Sequence, residues 1–184
     1  MNTTTIIIAA VVLVVLVVLG AILAPIFSGR QRSKRFQSKY GAEYERAVQT
    51  TGGQKAAQDE LNERERHVGT LKIRPLSARE RERYAADWTA VQARFVDEPG
   101  QAIAEADHLI MEVMQLRAYP VSDFEQRAAD VSIQYPAVVA NYRAAREIAV
   151  RNEQHHAGTE DLRQAMIHYR SLFDELLKPE STAA

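Results

Sequence analysis

The chain has no cysteine. That removes disulfides, thiolate zinc sites and cysteine nucleophiles from consideration, and it agrees with a reducing compartment. Also missing are a glycine-rich phosphate loop, an HExxH pair and a GxSxG elbow, so the common nucleotide, zinc-peptidase and serine-hydrolase signatures are absent. No stretch alternates apolar and polar residues with a period of two over a useful length, which argues against sheet. No acidic residue occurs before Glu43. Tryptophan occurs once, and the Trp and Tyr residues fall at helical spacing, which makes them core side chains rather than a platform for stacking bases.

One long apolar run is present. From Ile6 to Phe27 no residue is charged and most are Val, Ile, Leu or Ala. As a helix the run would measure about 33 Å, the thickness of a bilayer's hydrocarbon core. A cleaved leader fits poorly. The start, MNTTT, carries no Lys or Arg, the run exceeds an ordinary leader's apolar region, and a cut after Ala24 would place Pro25 directly beyond it. A buried helix of a soluble fold fits less well, because the run has no polar face. Residues 6–27 are therefore expected to be a single transmembrane helix, in contact with the lipid bilayer, preceded by a short tail at 1–5.

Charge sets the expected orientation. Arg30, Arg32, Lys34, Arg35 and Lys39 follow the run, and the other flank has no side-chain charge. The positive-inside tendency puts the N-terminus outside the cell membrane and the rest in the cytoplasm. The same five residues would lie against anionic headgroups. Because they hold five of the 23 basic residues while all 24 acidic ones come later, the remainder carries a net charge of −6. An acidic body argues against nucleic acid as a partner.

Beyond the basic cluster the pattern is helical throughout. Residues 30–50 read as a continuing helix, TTGGQ as a break, and QKAAQDELNERERHV as a very polar helix with a thin stripe of Ala57, Leu61 and Val68. Residues 28–69 are therefore expected to form a juxtamembrane segment and polar stalk. A compact domain is expected over 70–178, with a disordered tail at 179–184. Ser77 with Glu80 makes a capping box, and Tyr84, Trp88, Val91 and Phe95 form one apolar face. Pro99 opens the next helix, whose wide face includes Ile103, Ile110, Val113 and Met114. Ser122 with Glu125 repeats the capping box, Pro136 suits a first turn, and Thr159 suits the cap of the last helix, which shows Leu162, Met166, Tyr169, Phe173 and Leu176. The fold class is all-α: a transmembrane helix, a polar helical stalk and a bundle of about five helices.

The stretches ARFVDEP, DFEQRAADVSIQYPAVVANYR and TEDLRQAMIHYRSLFDELL resemble an uncharacterised family of bacterial single-pass membrane proteins, frequent in actinobacteria. The likeness covers roughly Tyr40 to Leu177. It implies a bacterial origin and an anchor followed by a helical domain, and it assigns no catalytic residue.

Three side chains stand out as candidate ligand-binding residues: Asp107, Arg143 and His168. Asp107 shares a helical face with Ile103, Ile110 and Met114, where a carboxylate needs a partner or a raised pKa. Arg143 and Arg170 are the candidate partners, and a structural ion pair outweighs a ligand role. His168 flanks an apolar face and suits a boundary position better than general-base chemistry. In DFEQRAAD the charged residues are expected to be solvated or capping. His108 and Glu112 stand four residues apart, too few ligands for a metal site, and no metal or other cofactor is implied. The expected function is a membrane-anchored interaction or scaffolding module with an unidentified protein partner. The alternative is an enzyme or small-ligand binder with a pocket around Asp107, Arg143 and His168.

Overall fold

The computed structural model describes residues 31–120 and 123–179, together with Leu13. The expected transmembrane helix, Arg30, Ser122 and the tail from 180 onward thus lie outside the described residues, except that Leu13 is itself helical. Among the described residues no helix is long and apolar enough to cross a membrane.

The chain divides into two compact units, Met1–Lys39 and Tyr40–Ala184. In the first, residues 31–39 are helical, Arg32, Lys34, Arg35 and Lys39 are exposed, and the Arg32 guanidinium stands 6.0 Å from the centre of the Phe36 ring. The second unit is all-α among its described residues. Its helices are α1 (Ala42–Thr51), α2 (Gln54–Thr70), α3 (Ala78–Arg94), α4 (Pro99–Leu116), α5 (Phe124–Gln134), α6 (Val139–Glu153) and α7 (Thr159–Leu177).

Helix boundaries follow local chemistry. Gly41 takes φ 52, which interrupts the helix that the sequence suggests is continuous from 30 to 50. Gly52, in the left-handed region, closes α1 with its N–H on the Val48 carbonyl. At α3 the expected capping box is complete: Glu80 N–H donates to Ser77 Oγ (3.3 Å) and Ser77 N–H donates to Glu80 Oε2 (2.7 Å). Pro99 opens α4. Three expected starts are displaced. Asp123 caps α5, accepting from Gln126 N–H. Pro136 sits in a turn three residues ahead of α6. Thr159 is the first helical residue of α7, and Gly158 before it donates its N–H to Asp161. A carboxylate one residue further along can satisfy the same unpaired N–H groups as the expected hydroxyl, so residue type alone does not choose between them.

One continuous core lies among α3, α4, α6 and α7, with Ala128 and Val131 of α5 and Leu76 of the preceding link. Trp88 of α3 stacks on Phe173 of α7, ring centres 4.5 Å apart and planes 19° apart. Helix α4 is central: Ile103, Ala106, Ile110, Val113 and Met114 are almost wholly buried between α3, α6 and α7. Side chains of this size contribute about 1.5–3 kcal/mol each on burial, before entropy is subtracted.

The compact unit begins at Tyr40, ahead of the boundary expected at residue 70. Helices α1 and α2 form a hairpin, with α2 lying on α5 and α1 touching α6. Tyr40, Tyr44, Ala47, Ala57, Leu61 and Val68 are buried there, yet none of them joins the continuous core. A stripe of this width cannot build a core alone, but it can cover the outer face of α5.

Candidate functional site

Asp107 projects from α4 into the bundle and is 6% exposed. Its Oδ2 lies 3.3 Å from Nη1 of Arg146 on α6, and Arg146 also approaches Glu153 at 3.5 Å. The partner is thus Arg146. Neither expected partner is used: Arg170 lies near Asp174 (3.5 Å) in its own helix, exposed, and Arg143 turns elsewhere. Tyr142 and Tyr169 stand beside Asp107, their ring centres 6.2 Å apart. Burial raises both hydroxyl pKa values above the ordinary phenol range, and the nearby Asp107 charge raises them further. No hydrogen bond of ordinary geometry engages Asp107 Oδ1 or either hydroxyl among the described residues. Both phenols are held protonated at neutral pH, and with the Asp107–Arg146 pair they make a buried polar cluster within the bundle.

Arg143 belongs to a second cluster, where the hairpin meets α5 and α6. Glu43 of α1, 2% exposed, lies between Nη1 of Arg64 on α2 (2.7 Å) and Nη2 of Arg143 on α6 (3.4 Å). Arg143 also donates to Glu125 of α5 at 2.6 Å, and Arg46 of α1 reaches the same carboxylate oxygen at 3.2 Å. Arg64 pairs in addition with Glu60. The result is a chain of alternating charge, Glu60–Arg64–Glu43–Arg143–Glu125–Arg46, that joins four helices. A cleft of about 520 Å³ opens along it, bordered by Thr50, Thr51, Gln126 and Ala129 as well. A second cleft of about 400 Å³ shares Arg46, Glu125 and Arg143 and continues over Phe124, Arg146, Glu147, Val150 and Arg151.

His168 is half-buried on α7. Its carbonyl accepts from Ser171 Oγ (2.7 Å), and among the described residues no hydrogen bond or ion pair joins its side chain to Asp107 or Arg143. Neither cleft is lined by Asp107 or His168. Of the three residues expected to share a pocket, Asp107, Arg143 and His168, Arg143 alone borders these two clefts.

Other residues carry roles that the sequence pattern does not announce. Arg127 and Asp130, expected to be solvated, are buried on α5. Asp130 Oδ1 accepts from Gln126 Nε2 (2.8 Å) and lies 3.6 Å from Nε2 of His67 on α2. Burial pushes the Asp130 carboxyl above its ordinary value, against the pull of Gln126, His67 and Arg64. Arg117, 1% exposed, donates through Nε to the Arg74 carbonyl (3.2 Å), and through Nη1 to the Leu176 carbonyl (3.1 Å) and the Tyr135 hydroxyl. It ties the link before α3 to the C-terminal turn of α7, where carbonyls lack intrahelical partners. The one signal for Asp130 is its spacing from Ala128 and Val131, which leaves it on the flank of a short buried helix. Nothing in the local sequence marks Arg117.

His108 Nδ1 stands 3.1 Å from Glu112 on an exposed face of α4. Among the described residues no group of three His, Cys, Asp or Glu side chains is placed to hold a metal ion.

Compared with known proteins, the chain matches no family model, and no curated protein or solved structure is significantly similar to it.

Proposed function

We propose that the chain is a membrane-anchored interaction module of the bacterial single-pass type that its sequence resembles. Residues 6–27 would cross the cell membrane with the N-terminus outside, and the helical body would act in the cytoplasm. Support for the location comes from the uncharged apolar run and the basic residues that follow it.

The observation that carries the interaction role is the cleft of about 400 Å³ between α1, α5 and α6. Its half-buried Phe124 and Val150 are flanked by Arg46, Arg143, Arg146 and Arg151, with Glu125 and Glu147 among them, on a body that is acidic as a whole. An aromatic and aliphatic floor with arginine around it matches the make-up of protein-recognition patches, where arginine and aromatic residues carry most of the binding energy. Four arginines against two glutamates on its border suit a partner segment that presents carboxylates at the rim.

Pull-down from detergent-solubilised membranes, read by mass spectrometry, tests the role. A partner should be recovered with the native chain and lost with the double variant Val150→Asp, Arg151→Glu. Recovery of the same proteins by both would overturn the cleft as the binding face. Topology is tested separately. A reporter fused after Ala184 should be active only in the cytoplasm, and activity of an alkaline-phosphatase fusion at that point would sink the orientation.

A further inference from the structure

We propose that the α1–α2 hairpin is a detachable strap: it releases from α5 and α6 as one unit while the bundle of α3 to α7 stays folded. The inference holds whether or not residues 6–27 lie in a bilayer.

Three features of the geometry carry it. The first is what lies in the seam. The hairpin's buried apolar residues stop short of the continuous core, so releasing it leaves that core closed. Buried charge lies in this seam instead: Glu43 from the hairpin and Asp130 from α5, which faces His67 of α2, with Arg64 and Arg143 nearly buried beside Glu43. Gathering ions out of water is costly, and their mutual attraction largely offsets that cost without adding much beyond it. Such a seam defines register well and holds weakly.

The second feature is access. The cleft of about 520 Å³ runs along the charge chain, with Glu60 and Arg64 of α2 on one side and Glu125, Gln126 and Arg143 on the other. Water can therefore take over each ion as its partner withdraws, which an apolar seam does not permit.

The third feature is a hinge. Residues 71–77 form an extended link between α2 and α3. The bundle grips this link at Arg74, whose N–H donates to the Arg117 carbonyl (3.1 Å) and whose carbonyl accepts from Arg117 Nε. It grips it again at Leu76, which is part of the core. Opening that begins at the hairpin therefore stops at Leu71 and Lys72. At the other end of the hairpin, Gly52 and Gly53 join α1 to α2, and the two helices stay paired through Arg64–Glu43 and through Gln58 Nε2 donating to the Tyr44 hydroxyl (3.3 Å). Release would uncover the Ala129–Asp130 face of α5.

Hydrogen exchange by mass spectrometry, on the full-length chain in mild detergent, tests the strap. Amides in the middle of α1 and α2 should exchange together, at least about tenfold faster than those of α4 and α7. Glu43→Gln, which keeps the shape and removes the charge between Arg64 and Arg143, should speed α1 and α2 by about a further tenfold and leave α4 and α7 unchanged. A single exchange rate across α2, α4 and α7 would overturn the proposal. So would a Glu43→Gln variant in which α4 and α7 speed up as much as α2, since the hairpin would then belong to one cooperative unit. An unchanged hairpin in that variant would remove the ion chain as its fastening.

Discussion

The α3–α4–α6–α7 bundle and the α1–α2 hairpin bury opposite kinds of side chain. The bundle encloses Trp88, Ile103, Ile110, Tyr169 and Phe173 in one core, and Asp107 is the acidic residue buried among them. The hairpin rests on α5 through a thin apolar stripe and a chain of six alternating charges. Apolar burial is non-directional and scales with area, so it supplies cohesion. Charge pairing is directional and nets little free energy, so it supplies register. Helix α5 lies between the two regimes, with Ala128 and Val131 turned to the core and Asp130 turned to His67 of the hairpin.

The largest expected effect breaks the cohesive side. Phe173→Ala removes the stacking partner of Trp88 and should cost about 3–5 kcal/mol. The circular-dichroism melt should shift sharply downward, and the hairpin signal should be lost no later than that of the bundle. A hairpin that outlasted the bundle would reverse the assignment of roles. Next is Asp107→Ala, which strands Arg146 and leaves a gap beside Tyr142 and Tyr169. A loss of about 3 kcal/mol is expected in urea titration. An unchanged midpoint for both this variant and Asp107→Asn would show that the pair contributes nothing to the bundle.

A smaller effect sharpens the seam. Burial raises the Asp130 carboxyl pKa in the folded state. Between the unfolded pKa and this raised value the folded form holds the extra proton, so stability falls as pH rises through that window. Above it the full penalty of a buried charge is present, and below the unfolded pKa it is absent. Asp130→Asn should therefore stabilise the protein at pH 7, by a margin that shrinks towards pH 4, even though Asp130 faces His67 and Arg64. Equal destabilisation at both values would mean that the contact with His67 outweighs desolvation. The smallest effect lies at the edge of the bundle. Ala118 closes α4 with φ 68, and Tyr119 N–H donates to the Met114 carbonyl (3.0 Å) in a left-handed C-terminal cap. Ala118→Gly should stabilise by about 0.5 kcal/mol, because glycine adopts that conformation without strain. A lower melting temperature would show that the added freedom of the unfolded chain outweighs the relief.

Much of the bundle is legible in the sequence. The Ser77–Glu80 capping box and Pro99 at the start of α4 act within one helical turn, and the faces carrying Tyr84–Trp88–Val91 and Leu162–Met166–Tyr169–Phe173 follow from periodicity. The hairpin is legible as two helices and a glycine break, but not as a packed layer. Leu61 and Val68 look like a stripe too thin to bury, and only the facing surface of α5 makes them useful. The candidate site is the least legible part. Of Asp107, Arg143 and His168, the first does lie in the interior and the second does border a cleft, but they meet different partners.

The sequence by itself determined the all-α class, the starts of α3 and α4, the side of each bundle helix that turns inward, and the uncharged run ahead of an acidic body. These depend on residues a few positions apart, where helix geometry alone sets who is neighbour to whom. Tertiary structure decided that Asp107 meets Arg146, 39 residues away, and that Glu43 meets Arg143, 100 residues away. It also decided that Arg117 is buried and that the polar hairpin docks at all. Several arginines have the reach and the charge for each carboxylate. Only the packing of whole helices, driven by apolar faces elsewhere, brings one of them within range and leaves the others in solvent.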